Sequence, residues 1–100
     1  MMGTMGGLDE VIHQSTRLRI MAALQVMKKD EWIEFMHLKA LVGASDGNLG
    51  AHLETLSKAG YVESSKQIVG KKPLTRIRPT PAGRAAYHDH VAALRTLLGM

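Results

Sequence analysis

The sequence predicts a mainly helical fold carrying one small β-hairpin, and three observations lead to it. Ser45 to Ala59 reads as a capped helix with a leucine seam, because Leu49, Leu53 and Leu56 recur at four- and three-residue steps. Directly after it, Tyr61–Ile68 and Leu74–Arg78 alternate loosely around Val69-Gly70-Lys71-Lys72-Pro73, which is turn chemistry. Thr80-Pro81 then opens a last helix, with threonine as the N-cap and proline at the first helical position.

Taken in order, Leu8–His13 reads as a short helical turn, with Asp9 and Glu10 suited to its start. Ser15 is placed to cap a second helix from Thr16 to about Lys28. Ile20, Leu24 and Met27 share one face of it, and Leu18, Met21, Ala22, Ala23 and Val26 widen that face, so this helix is the expected centre of the core. Trp32-Ile33-Glu34-Phe35 reads as a single small strand, with packing the default role for Trp32. A third helix follows over Met36–Val42, burying Leu38, Leu41 and Val42. It lacks a capping oxygen at its start and stops at Gly43. The capped helix from Ser45 comes next and ends at Gly60. The last helix runs to about Leu98, with Tyr87, Val91, Leu94 and Leu98 on one stripe. Two helices joined by a few residues containing glycine, then a hairpin and a closing helix, make the order of a winged helix-turn-helix: a three-helix core, a wing and a C-terminal helix over residues 81–98.

Composition narrows the function classes. One hundred residues allow one domain, expected over residues 8–98, and 45% apolar with 22% charged residues suits a globular chain. There is no cysteine, which excludes a disulfide framework, a thiolate metal site and a cysteine nucleophile, and is compatible with a cytoplasmic home. No apolar run approaches the length of a membrane span. The first seven residues lack the basic start and apolar block of a signal peptide and read as a disordered lead. G-x-S-x-G, a phosphate-cradling glycine loop and H-E-x-x-H are all missing, so no enzyme is expected. The charge is uneven: Lys66, Lys71, Lys72, Arg76, Arg78 and Arg84 face Glu63 alone between Tyr61 and Arg84, whereas the whole chain carries only +4. Cations gathered beside one helix are the footprint of a polyanion contact, although lysines also keep a solvated hairpin soluble.

The run D-G-N-L-x-x-H-L-x-x-L-x-x-A-G-Y-V, then V-G-K-K-P-x-T-R and T-P-A-G-R-A-A-Y, with I-H-Q-S-T-R-L-R-I-M-A-A-L upstream, resembles winged-helix transcriptional regulators of the MarR and ArsR type. Within them it is similar to a small stand-alone branch. The resemblance implies a homodimeric regulator of transcription, taken here as a repressor, with helix 45–59 in the major groove of double-stranded DNA and the wing, residues 61–79, on an adjacent groove or the backbone. Ser45, Asn48, His52, Thr55 and Lys58 then approach the groove, while Lys66, Lys71, Lys72, Arg76 and Arg78 hold backbone phosphates. Gly50 and Ala51 depart from the family pattern, which often places Ser and then Arg or Gln there; without a bidentate side chain, modest base discrimination is expected.

The surplus apolar surface of the last helix, Tyr87, Val91, Leu94, Leu97 and Leu98, is expected to meet Leu8, Val11 and Ile12 of the first turn in a two-fold dimer contact. His88 and His90 lie two apart on a helix and cannot chelate from one side, so they are read as solvated and no metal is assigned. His13 and His37 are read as core-edge packing. Arg17 and Arg19 could serve phosphate or an ion pair, and no cofactor is expected. The sequence leaves room for a small-molecule effector but defines no site for one. The competing function is a winged helix that binds another protein instead of DNA; bare Gly50 and Ala51 favour it, and the basic hairpin opposes it.

Overall fold

The computed structural model describes residues 7–100, so nearly all of the expected disordered lead lies outside the described residues. The order is α1 (Glu10–His13), α2 (Ser15–Leu24), β1 (Ile33–Glu34), α3 (Phe35–Val42), α4 (Asp46–Lys58), β2 (Val62–Val69), β3 (Lys72–Pro79) and α5 (Pro81–Leu98). The strands form an antiparallel sheet in the order β1-β3-β2. This is the winged helix-turn-helix that the residue pattern implied.

Each boundary has a local cause. The Asp9 carboxylate accepts from the amides of Val11 and Ile12 and so starts α1. α2 begins at Ser15 with the Gln14 side chain as its cap, not Ser15 itself: Gln14 Oε1 accepts from Arg17 N at 2.9 Å. α2 also stops four residues short of Lys28, at Leu24. Beyond it the Arg84 guanidinium donates to the carbonyls of Gln25 and Met27, and the Glu31 carboxylate accepts from the Lys28 amide. Tertiary partners thus replace the next helical turn. Its core face is as expected, with Ile20, Met21 and Leu24 buried at the centre.

α3 starts at Phe35 with no side-chain cap and ends on left-handed Gly43. Leu38 and Val42, four apart, face the core; Leu41 lies off that row and is 57% exposed, against expectation. The Ser45 hydroxyl accepts from Asn48 N at 3.2 Å and opens α4, whose Leu49, Leu53 and Leu56 are buried. A Lys39–Asp46 ion pair joins α3 to the start of α4 and neutralises the acid nearest that end.

The hairpin is longer than its turn residues suggested. Pairing runs unbroken from Val62↔Pro79 to Val69↔Lys72, so most of the expected loop is strand. Gly70, at φ +64°, lets the chain reverse through only Gly70-Lys71. At the wing's root the T-P-x-G motif fixes α5. Thr80 Oγ1 accepts from Gly83 N at 2.9 Å and donates to Gly60 O at 2.6 Å. A Cβ on Gly83 would lie 2.0 Å from the Tyr61 carbonyl oxygen, so only glycine admits this approach.

Candidate nucleic-acid interface

α4 and the wing stand side by side, separated by a cleft of about 640 Å³ with Lys58 on one wall and Lys66 on the other. Ser45, Asn48, Ala51, Thr55 and Lys58 are exposed along the outer side of α4. The Thr55 hydroxyl donates back to Ala51 O at 3.3 Å, and Lys58 pairs with Glu54 at 3.1 Å. His52 is only half-exposed, its Nδ1 lying 3.1 Å from Arg17 Nη1. Arg17 also donates to Val11 O, so it serves the link between α1 and α4 instead of an acid.

Strand register sorts the wing into two faces. Ser64, Lys66 and Ile68 share one with Pro73, Thr75 and Ile77; Glu63, Ser65, Gln67 and Val69 share the other with Lys72, Leu74, Arg76 and Arg78. Lys66, Lys71 and Lys72 are exposed, and among the described residues none is in an ion pair. The two arginines are placed differently. Both lie over the Trp32 ring, Arg76 at 5.2 Å and Arg78 at 4.4 Å from its centroid. Arg78 in addition reaches Glu63 at 3.3 Å and Asp30 at 3.7 Å. Trp32 packs, as expected, but its further role as a shelf for two guanidiniums was missed. The sequence shows only that Arg76 and Arg78 share a strand face; the pairing of β1, which follows Trp32, with that strand is what brings the ring to them.

The expected dimer residues are divided as well. Leu8 is 4% and Ile12 0% exposed within this chain's own core, so neither has surface to offer a second copy. Val11 and Tyr87 pack against the core, and Val91 and Leu94 are half-buried. Leu97 and Leu98 remain 56% and 65% exposed.

His88 is exposed, whereas His90 is fully buried and not solvated. Its Nδ1 accepts from Asp9 N at 3.0 Å, and the His13 ring stands 5.5 Å away. Burial pushes its pKa below the ordinary histidine value and the His13 charge adds to that, with the Asp9 carboxylate opposing. The Tyr61 hydroxyl donates to the other Asp9 oxygen, and burial with that carboxylate pushes its pKa up to about 12. His37 is exposed and not at the core edge, whereas His13, also exposed, stands beside the buried His90. Among the described residues no group of three or more histidines and acids is placed to hold a metal, and no helix is long and apolar enough to cross a membrane.

Comparison with known proteins agrees with this geometry. A family model described as a winged helix DNA-binding domain matches residues 16–98. An uncharacterised protein of Methanocaldococcus jannaschii is 32% identical over 82 residues, covering 82% of this chain and 86% of that one. The transcriptional regulator homologue of Pyrococcus horikoshii OT3 has a similar structure, with TM-score 0.79 and 21% identity over 91% of this chain and 87% of its own. The M. tuberculosis transcriptional regulator MOSR, solved in complex with DNA, gives TM-score 0.68 and 22% identity over 91% of this chain and 65% of its own. These structures share the fold. With its family model matched from the start of α2 to the end of α5, the chain belongs to the winged helix DNA-binding domain family, a family of DNA-binding proteins and not of enzymes.

Proposed function

We propose that the protein is a homodimeric, sequence-specific regulator of transcription, acting as a repressor, that sets α4 in the major groove and the wing on the adjacent backbone or minor groove. The observation that carries this reading is Lys66, exposed on the wing face that lines the cleft with α4, together with Lys71 and Lys72, exposed at the end of the hairpin, none of them in an ion pair among the described residues. Ser45, Asn48 and Thr55 approach the bases, His52 does so from a position held by Arg17, and Lys58 takes a phosphate. Arg76 and Arg78 are better assigned to holding the wing's root against Trp32 than to clamping DNA. Because α4 offers no arginine or glutamine, affinity rests on phosphates and discrimination is modest.

Dimerisation follows from α5, where Leu97 and Leu98 stay exposed and continue the half-buried stripe of Val91 and Leu94. Two copies paired there would present two α4 helices to successive major grooves and favour a near-palindrome.

The test is fluorescence anisotropy on mixed duplex DNA over a salt series. About four phosphates neutralised by each protomer, hence about eight by the dimer, predict a slope of log affinity against log salt near −7. The double variant Lys71→Glu/Lys72→Glu should lose most of the affinity. No binding at low salt, or an unimpaired double variant, would instead favour the protein-partner function. Sedimentation equilibrium checks the dimer: Leu98→Glu should give monomers, and an already monomeric wild type would remove that part of the reading.

A further inference from the structure

We propose that the end of the wing is an apolar wedge: Ile68, backed by Pro73, enters between two base pairs from the minor groove and kinks the duplex there. This rests on α4 lying in the major groove with the wing beside it, an arrangement that gives the wing's cations a role and its apolar end none.

The hairpin ends in hydrocarbon where an exposed strand is normally polar. Ile68 is 72% and Val69 57% exposed, both lie outside the core cluster, and β2 is an edge strand of the sheet. Strand propensity asks for β-branched side chains at these rungs, but threonine meets that need without baring apolar surface. The two residues therefore answer to something outside the fold.

Register separates them. Ile68 faces Pro73 and shares its side of the hairpin with Lys66, which lines the cleft with α4; Val69 faces Lys72 on the other side. Proline has no amide to donate, so its rung is one without ladder bonds, where facing side chains stand closest. Ile68 and Pro73 thus form one blunt apolar ridge. Lys71 and Lys72 lie beyond it and Lys66 behind it, none in an ion pair among the described residues.

The dimensions fit a groove. Two residues of strand set Ile68 about 7 Å beyond Lys66, and the minor groove is about 7.5 Å deep. With the Lys66 ammonium on a phosphate at the rim, the ridge reaches the floor, where base pairs stack. Apolar side chains entering there unstack one step and bend the duplex toward its major groove, most easily at TA and CA/TG steps. The major groove is where α4 stands, so the bend closes DNA around that helix. Deformable steps would then be preferred, a discrimination that α4 cannot make without a bidentate side chain.

Two duplexes of about 30 base pairs, dye-labelled at both ends and equal in A·T content, test the wedge; one is rich in TA and CA steps and the other has all its purines on one strand. Anisotropy gives affinity, and energy transfer gives the end-to-end distance. Wild type should shorten the step-rich duplex and bind it about tenfold more tightly than the other. Ile68→Thr and Pro73→Thr should each abolish the shortening and the preference, with Tm and salt slope close to wild type. Val69→Thr, on the other side, should keep both, and Lys71→Glu/Lys72→Glu should weaken binding to the two duplexes alike. Wild-type binding with neither shortening nor preference, or survival of both in Ile68→Thr and Pro73→Thr, overturns the wedge while leaving DNA binding in place. Equal loss in Val69→Thr overturns the assignment to Ile68 and Pro73. Failure of the wild type to bind either duplex at low salt overturns the wedge and the DNA-binding function together.

Discussion

The root and the tip of the wing carry the same sign of charge and put it to opposite uses. At the root, Arg76 and Arg78 lie over Trp32, with Arg78 also tied to Glu63 and Asp30. At the tip, Lys71 and Lys72 are exposed with no acidic partner among the described residues, and so is Lys66 at mid-strand. Side-chain chemistry explains the division. A planar guanidinium stacks on an aromatic ring and forks to carboxylates, while a flexible ammonium stays hydrated and meets a phosphate as a point charge. Positive charge counted along a sequence therefore overstates what a polyanion can reach.

Substitutions at the two ends can break or sharpen this contrast. The largest effect belongs to the root: Gly83→Ala forces a methyl into the Tyr61 carbonyl, and the loss should be about 3 kcal/mol in urea denaturation. A smaller loss would mean that α5 can slide from its seat. Trp32→Ala removes a half-buried ring and both cation–π contacts, and should cost about 2 kcal/mol while leaving the salt slope of DNA binding in place. Arg78→Ala should cost about 1 kcal/mol, its ion pairs being partly exposed, again with little change in slope. Lys72→Ala should do the reverse: stability within about 0.5 kcal/mol of wild type, and a salt slope for the dimer shallower by about two, one for each protomer. Equal behaviour of the last two would erase the distinction between root and tip.

The smallest effect is a pH dependence at the root's far side. His90 is held neutral when folded, with a pKa below its unfolded value near 6.5, so the unfolded chain takes up the proton more readily. The stability this contributes is complete above that value and is lost as pH falls below it. Tm measured from pH 8 to pH 5 should therefore decline on the acid side, and His90→Gln should flatten that decline. Tyr61 works at the other end: raised from 10 to about 12, it adds stability that is present below pH 10 and lost as pH rises toward 12.

What could be read from residues alone was whatever local chemistry decides. Ser45, Gly43, Thr80 and the leucine seam set element boundaries within a few residues, and each acts there as expected. The misreadings needed partners distant in sequence. α2 ends early because Arg84 takes the carbonyls of Gln25 and Met27, and His90 is buried because α1 folds over it with a backbone donor. Leu8 and Ile12 were apolar enough for an interface, yet their own core claims them. The basic wing was legible as a charge excess, but its division was not, because that depends on strand register and on where Trp32 falls.

The uninterrupted ladder of the hairpin also sets a rule for changing its length. With no bulge between Val62↔Pro79 and Val69↔Lys72, adding a single residue to one strand would slip every pair beyond it and exchange the two faces. An insertion near the base of β3 would turn Arg76 and Arg78 off the indole, and one in β2 would turn Lys66 away from α4. Longer or shorter versions of this arm should therefore differ by matched pairs of residues, one in each strand, so that growth proceeds rung by rung.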